Sequence, residues 1–122
     1  MNNRELLELA ARAAGIKARW FRVNQWRQVG GHKMQTGKED VFGTHHSKPW
    51  NPLTDDGDAL RLAVKRGLVV TPDRENQRTL VSNQAGHEYC AIYWDKLGEM
   101  AATRLAITEA AAEIGKSMGG GE

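Results

Sequence analysis

The two ends of the chain space their apolar residues as amphipathic helices do. Segment 3–14 has leucines and alanines on one face, Asn3 can cap its start, and Gly15 suits the left-handed position after a helix end. Segment 97–118 is rich in alanine, which lets a helix approach its neighbours closely. The stripe expected to be buried on that second helix consists of Met100, Thr103, Ile107, Ala110, Ala111, Ile114 and Met118. The pattern therefore predicts a helix at each end of the chain.

A third helix is predicted in the middle of the chain, within residues 50–67. Thr54 or Asp55 can cap its start, and basic residues precede Gly67 at its end. Its buried face is expected to hold Ala59, Leu60, Ala63 and Val64. Three carboxylates stand in its first turn, where the helix dipole favours negative charge.

The remaining segments favour strands and loops. Segment 17–29 interleaves aromatic residues and valines with arginines, which predicts one or two strands. Segment 30–48 contains four glycines and no clear period, so it is predicted to be a long loop. Three β-rich runs, 68–71, 78–82 and 89–94, are separated by polar turns and predict an antiparallel meander.

The order of elements is helix, strand, loop, helix, three strands and helix. It predicts an α+β domain in which a small, mostly antiparallel β-sheet is covered by helices. With 122 residues, 40% of them hydrophobic, the chain can build one core but not two ordinary domains. We therefore expect a single domain over residues 1–118 and a disordered glycine-rich tail over 119–122.

Cysteine use and hydropathy point to a compartment. The single Cys90 cannot form an internal disulfide, which favours a reducing environment. Charged residues interrupt the leucines of the first fifteen positions, so no signal peptide is expected there. The chain also lacks an apolar run of about 18 residues, the length that a membrane span needs. These features predict a cytoplasmic protein that does not bind membranes.

Three blocks of sequence resemble a known family. They are residues 3–11, residues 50–64, and residues 101–107 together with 110–115. In these blocks the chain resembles the phage ABA-sandwich domain proteins, small proteins of tailed phages and prophages that are distantly similar to NinX of lambdoid phages. The resemblance implies a phage origin and an α-β-α sandwich, but no reaction and no catalytic residues. Segment 22–47 departs from it, being longer and more basic than is typical of the family.

A basic segment is the first candidate site. No acidic residue lies between Glu8 and Glu39, whereas basic and aromatic residues alternate there. Cations bind phosphates and aromatic faces stack on unpaired bases, so this composition suits an anionic partner. The candidate binding residues are Lys17, Arg19, Trp20, Arg22, Trp26, Arg27, Lys33 and Lys38. Alternatively, the aromatic residues belong to the core and the basic residues form a solvated face.

An acidic turn, Asp55-Asp56-Gly57-Asp58, is the second candidate. Three carboxylates could hold a hard cation or share a proton. Further ligands of the EF-hand pattern are lacking, and helix capping accounts for all three carboxylates. A structural role is therefore expected for this turn.

Metal-binding and nucleophilic side chains form the third candidate. His45, His46, His87 and Cys90 could meet in space around zinc, but no paired spacing supports this, so no metal is predicted. Cys90 lies in an apolar run and is expected to be a buried small residue. No catalytic residues and no cofactor are predicted. The pair Gly30-Gly31 lacks the spacing of a phosphate-binding loop, which argues against an NTPase.

The distribution of charge points towards an anionic partner. The net charge is only +2, but residues 1–50 carry nine basic and four acidic residues, and the remainder carries eight basic and eleven acidic. We expect a non-enzymatic phage accessory protein that binds a host protein or nucleoprotein effector, for instance an inhibitor of a bacterial immune effector. One alternative is a nucleic-acid-binding protein of phage replication or recombination. Another is a binder or hydrolase of signalling nucleotides. The oligomeric state stays open, with a homodimer as one option.

Overall fold

The computed structural model describes residues 1–45 and 48–119. In chain order, its elements are α1 Asn3–Ala14, β1 Arg19–Val29, β2 His32–Thr44, β3 Lys48–Pro49, α2 Asp56–Arg66, β4 Val69–Asp73, β5 Arg78–Ser82, β6 Glu88–Tyr93 and α3 Glu99–Met118. The predicted α+β class is confirmed. The predicted tail falls mainly on residues 120–122, which lie outside the described residues.

Helix α3 lies at the centre of the molecule. It packs against α1 and α2 and also against strands β5 and β6. Many of its residues are alanines with small side chains, and Ala102, Ala106 and Ala110 are fully buried. The predicted stripe is wrong at Met100 and Met118, which are exposed, because a helix with neighbours on several sides buries its small residues instead.

Two antiparallel sheets of three strands each complete the described fold. Strands β4, β5 and β6 form the predicted meander in sequence order. Residues of β5 alternate between its two faces, and Thr79 and Val81 on the face towards α3 are fully buried. The meander therefore supplies one wall of the core.

Caps define the ends of α1 and α2. Asn2, one residue before the predicted cap, accepts a hydrogen bond of 2.8 Å from the backbone N–H of Glu5. Asp55 caps α2 in the same way by accepting from Asp58 N at 2.8 Å. Gly15 and Gly67 end these helices in the left-handed conformation, as predicted.

The buried face of α2 differs from the predicted one. Ala59, Leu62 and Ala63 are buried, whereas Leu60 and Val64 are 64% and 73% exposed. A helical period in an apolar-rich segment fits several neighbouring faces equally well, and tertiary packing selects among them. This correction places two large apolar side chains on the surface.

A long hairpin replaces the predicted loop over residues 30–48. Strands β1 and β2 pair antiparallel from Arg19 with Gly43 to Val29 with His32, and β3 extends the pairing by two residues. Gly30 and Gly31 form the two-residue turn with φ values of 56° and 81°, as a type I′ hairpin turn requires. The loop prediction was wrong because most of β2 is exposed and so lacks an apolar alternation.

Aromatic packing joins the hairpin to the body. The ring of Phe42 lies 4.9 Å from that of Trp20 and 6.1 Å from that of Trp50. On the other face, a side chain at Gly43 would clash with Phe21 and with the backbone of Lys48, so this glycine permits the close approach. Only the base of the hairpin is held in this way.

None of the helices in the described ranges is long and apolar enough to cross a membrane.

Candidate functional site

Residues 22–40 of the hairpin, called the arm below, project from the body. Every residue of the arm except Gly37 is exposed. Seven residue steps separate Arg22 from the last residue of β1, so the arm extends over roughly 24 Å at 3.4 Å per residue. A hairpin of two strands is only marginally stable alone, so an arm of this length is a feature that needs a functional explanation.

One face of the arm combines a tryptophan with lysines and amides. Residues directly opposite each other in the register share a face, as do alternate residues of one strand. The tryptophan face, defined in this way, consists of Arg22, Asn24, Trp26, Gln28, Lys33, Gln35, Lys38 and Asp40. The amide of Gln35 donates to Asn24 Oδ1 at 3.1 Å, which supports this assignment across a bulge at that point of the register.

Trp26 is the most prominent residue of the tryptophan face. Its side chain is 58% exposed, which is unusual for the largest apolar side chain. Gln28 and Asn24, two positions to either side of it, pair with Lys33 and Lys38. Trp26 is therefore flanked diagonally by two lysines on the same face.

The opposite face of the arm is more apolar. The valine face consists of Val23, Gln25, Arg27, Val29, His32, Met34 and Glu39. Val23, Val29 and Met34 are exposed. At the base of the hairpin this face continues into Phe21 and Val41, which are half-buried. The arm therefore offers two chemically different surfaces.

Charge is unevenly distributed along the arm. At its base, Asp40 accepts a hydrogen bond of 3.3 Å from Arg22 Nε and lies 3.5 Å from Arg4 Nη1. Residues 23–38 beyond this pair contain Arg27, Lys33 and Lys38 and no acidic residue. The outer part of the arm is therefore positively charged.

The structure divides the eight predicted binding residues into groups. Trp26, Lys33 and Lys38 share the tryptophan face, Arg27 lies on the valine face, and Arg22 is paired with Asp40. Lys17 and Arg19 line a cavity of about 380 Å³ at the base of the hairpin, together with His45. The eighth residue, Trp20, has a separate role.

Trp20 acts in packing, as the alternative interpretation of the aromatic residues expected. Its indole Nε1 donates to Glu8 Oε2 at 3.0 Å, and the guanidinium of Arg4 lies 4.0 Å from the ring centroid. Its other contact is the Phe42 ring described above. Of the two tryptophans in β1, only Trp26 offers a free ring.

The acidic turn has structural partners. Asp55 is the helix cap, and Asp56 Oδ1 accepts a hydrogen bond of 2.7 Å from Arg104 Nη1. Asp58 accepts from Arg61 Nη2 at 2.8 Å and from the backbone N–H of Asn51 at 2.9 Å. These bonds match the expected structural role, because they tie the loop before α2 to that helix and α2 to α3.

Cys90 faces α3 and is half-buried rather than fully buried as expected, packed against the edge of the core. Its Sγ donates to the carbonyl oxygen of Ala106 at 3.3 Å. Burial raises the pKa of Cys90 to about 12, and the neighbouring carboxylates of Glu109, Glu88 and Glu113 add to the rise. Its thiol is therefore protonated at neutral pH and a poor nucleophile.

Of the histidines that were considered as zinc ligands together with Cys90, His46 lies outside the described residues. The ring of His87 packs edge-on against Tyr89 at 4.9 Å. Within residues 1–45 and 48–119, no group of three or more His, Cys, Asp and Glu side chains could hold a metal.

Sequence reasoning missed the hairpin and hence its two faces. The Gly30-Gly31 pair between two potential strands was the available signal, because two consecutive glycines satisfy the positive φ values of a tight turn. It also missed a cleft beside α2 whose residues are far apart in sequence, and no local motif marks that cleft.

Comparison with known proteins adds no relative. No family model, no curated protein and no solved structure matches the chain.

Proposed function

We propose that this chain is a binding protein that holds single-stranded nucleic acid on the tryptophan face of its arm. The observation that carries the proposal is the exposed ring of Trp26 flanked diagonally by Lys33 and Lys38. An unpaired base can stack on a free aromatic ring, and lysines can bind the phosphates on either side. The amides of the same face supply donors and acceptors for base edges.

An unpaired strand is the preferred ligand because Trp26 needs an accessible base face. In a duplex the faces of the bases are stacked on one another, so stacking on Trp26 would first require a base to be unstacked. The few cations of the arm also suggest modest affinity. With two phosphates contacted, one by Lys33 and one by Lys38, the logarithm of the binding constant should fall with a slope of about −1.4 against the logarithm of salt concentration.

Fluorescence anisotropy of a labelled single-stranded DNA of about 12 nucleotides, within the site sizes known for such proteins, tests the proposal. Trp26→Ala should weaken binding by about tenfold, as expected for the loss of one stacked base. The double variant Lys33→Ala/Lys38→Ala should weaken binding and flatten the salt dependence. Arg27→Ala is the matched control, because it removes a cation from the opposite face of the same arm.

Three results of these binding measurements would count against the proposal. If Arg27→Ala lost half as much binding free energy as the double lysine variant, each cation would count alike, only the net charge of the arm would matter, and the face-specific proposal would be rejected. Equal affinity of the wild-type protein for duplex and single strand would reject the role of stacking. Absence of salt-dependent binding would reject nucleic acid as the ligand.

A second candidate function is favoured by the valine face. Three exposed apolar side chains on one face, Val23, Val29 and Met34, suit a protein surface better than a nucleic acid. With a phage origin, which the sequence resemblance suggests, the partner would be a host protein such as an immune effector, met in the bacterial cytoplasm. Binding of this kind would make the chain an accessory factor without catalytic activity.

The two candidates use different faces and can be separated. The double variant Val29→Thr/Met34→Gln, which adds no charge, should abolish capture of a host protein and preserve binding of the single strand. Capture that survives this variant but is lost in Trp26→Ala would exclude the valine face as the protein contact.

A further inference from the structure

A cleft of about 360 Å³ lies between the end of α1, strand β3 and helix α2. Its apolar lining includes Ile16, Trp50 and Leu62, and its polar lining includes Lys48, Arg61 and Lys65. This volume is at the lower end of the range for sites that take small molecules, about 300–1,000 Å³. The cleft shares no residue with the arm.

Local hydrogen bonds position the lining of the cleft. The backbone N–H of Trp50 donates to the carbonyl oxygen of Phe42 at 2.9 Å, which fixes the segment after β3. The next residue, Asn51, is held to Asp58 of α2, as described above. On α2, Arg61 and Lys65 are four residues apart and therefore project from the same side of the helix. The two sides of the cleft are thus tied together.

Charge in the cleft is not balanced. Asp58 is the only acidic residue of the lining, and its side chain is 13% exposed and bonded to Arg61 and to the backbone of Asn51. In the part of the chain that the structure describes, Lys48 and Lys65 make no ion pair with a carboxylate. Two ammonium groups are therefore available beside an apolar wall.

We propose that this cleft binds a small phosphorylated molecule with a flat apolar part, of the chemical class of the mononucleotides. The phosphate lies between Lys48 and Lys65, because a lysine acts as a compact positive charge that can donate three hydrogen bonds. The flat part lies against Trp50 and Ile16, since aromatic and aliphatic walls favour planar apolar groups. This site is separate from the arm and does not depend on the function proposed for it.

Isothermal titration calorimetry with adenosine monophosphate, guanosine monophosphate, adenosine and inorganic phosphate tests the proposal. A nucleotide should bind with a dissociation constant of about 1 mM or tighter. Adenosine and inorganic phosphate should each bind at least about tenfold more weakly, because each supplies only one of the two contacts.

Variants on the rim show where the nucleotide binds. Lys48→Ala and Lys65→Ala should each weaken nucleotide binding by about tenfold, the order expected for one charge-assisted contact. Arg66→Ala is the matched control, because Arg66 is an exposed cation next in sequence on α2 but outside the lining of the cleft. Trp50→Phe should preserve the apolar wall and change the fluorescence response to the nucleotide.

Several results would overturn the proposal. They are no saturable binding of either nucleotide, binding of inorganic phosphate as tight as that of the nucleotide, and a loss in Arg66→Ala equal to that in Lys65→Ala. The double variant Lys33→Ala/Lys38→Ala should bind the nucleotide as the wild type does. A loss in that variant would place the nucleotide on the arm and would likewise reject the cleft.

Discussion

Thr79 and Trp94 are joined by a buried hydrogen bond in which the indole Nε1 donates to the Thr79 hydroxyl oxygen at 2.9 Å. The same hydroxyl lies 2.6 Å from that of Thr103 on α3, so one fully buried side chain links the meander to the central helix. Buried polar groups are stabilising only while they remain paired.

The first prediction concerns this network. Thr79→Val should lower the free energy of unfolding by about 1–3 kcal/mol, because the Trp94 N–H and the Thr103 hydroxyl lose a partner in a dry environment. Thr79→Ser keeps the hydroxyl and should lose less. Urea unfolding measures both variants, and a valine variant as stable as the serine variant would show that the network does not contribute to stability.

The second prediction concerns the contact between α1 and α3. A Cβ added at Gly115 would overlap the carbonyl oxygen of Leu9 and lie 2.9 Å from its carbonyl carbon. In a helix without neighbours, alanine in place of glycine is stabilising by about 1 kcal/mol. A loss of stability in Gly115→Ala would therefore come from the contact with Leu9. We expect Gly115→Ala to destabilise the protein and Lys116→Ala, at an exposed neighbouring position, to change its stability by less than about 0.5 kcal/mol. A more stable Gly115→Ala variant would contradict the close helix contact.

The third prediction compares two leucines of α2. Leu62 is 2% exposed and Leu60 is 64% exposed. Leu62→Ala should lower the free energy of unfolding by about 2–5 kcal/mol, because buried apolar surface is lost and a cavity is left. Leu60→Ala should change the free energy of unfolding little. Thermal unfolding of the two variants checks the orientation of the helix, and the reverse ranking would restore the face expected from the sequence.

The fourth prediction concerns alkaline pH. The pKa of Cys90 is raised from 9.0 to about 12, so between these values the unfolded chain releases a proton that the folded chain retains. Stability should therefore fall as the pH rises from about 9 towards 12, with a smaller fall in Cys90→Ala. The measurement is the difference between the two proteins in urea unfolding at each pH, since other groups also titrate there. Parallel pH profiles would show that the thiol is not protected by the fold.

The fifth prediction concerns the arm. Its amides should exchange with solvent faster than those of β5, because residues 23–38 bury almost no side chain and local opening there costs little. Hydrogen exchange measured by mass spectrometry resolves the two segments. Protection of the arm equal to that of β5 would mean that the arm is covered in solution, for example by a second copy of the chain.

Local sequence predicted the elements that carry their own signals. Asp55 with Gly67 marked helix α2, and the polar turns between short apolar runs marked the meander, because caps and turns depend on residues close together in the chain. The structural role of the acidic turn followed from the same local chemistry. The proposed functions and the family resemblance stay predictions.

Properties that depend on distant contacts were decided only by the tertiary structure. Leu60 and Leu62 are equally hydrophobic, and packing of α2 onto the core determines which of them is buried. Likewise, Trp20 and Trp26 lie on the same face of one strand, but only Trp20 meets Phe42 and helix α1, so only Trp26 is left free. A pattern of residues can place a side chain on a face, but whether that face is covered depends on chain segments that a local pattern does not contain.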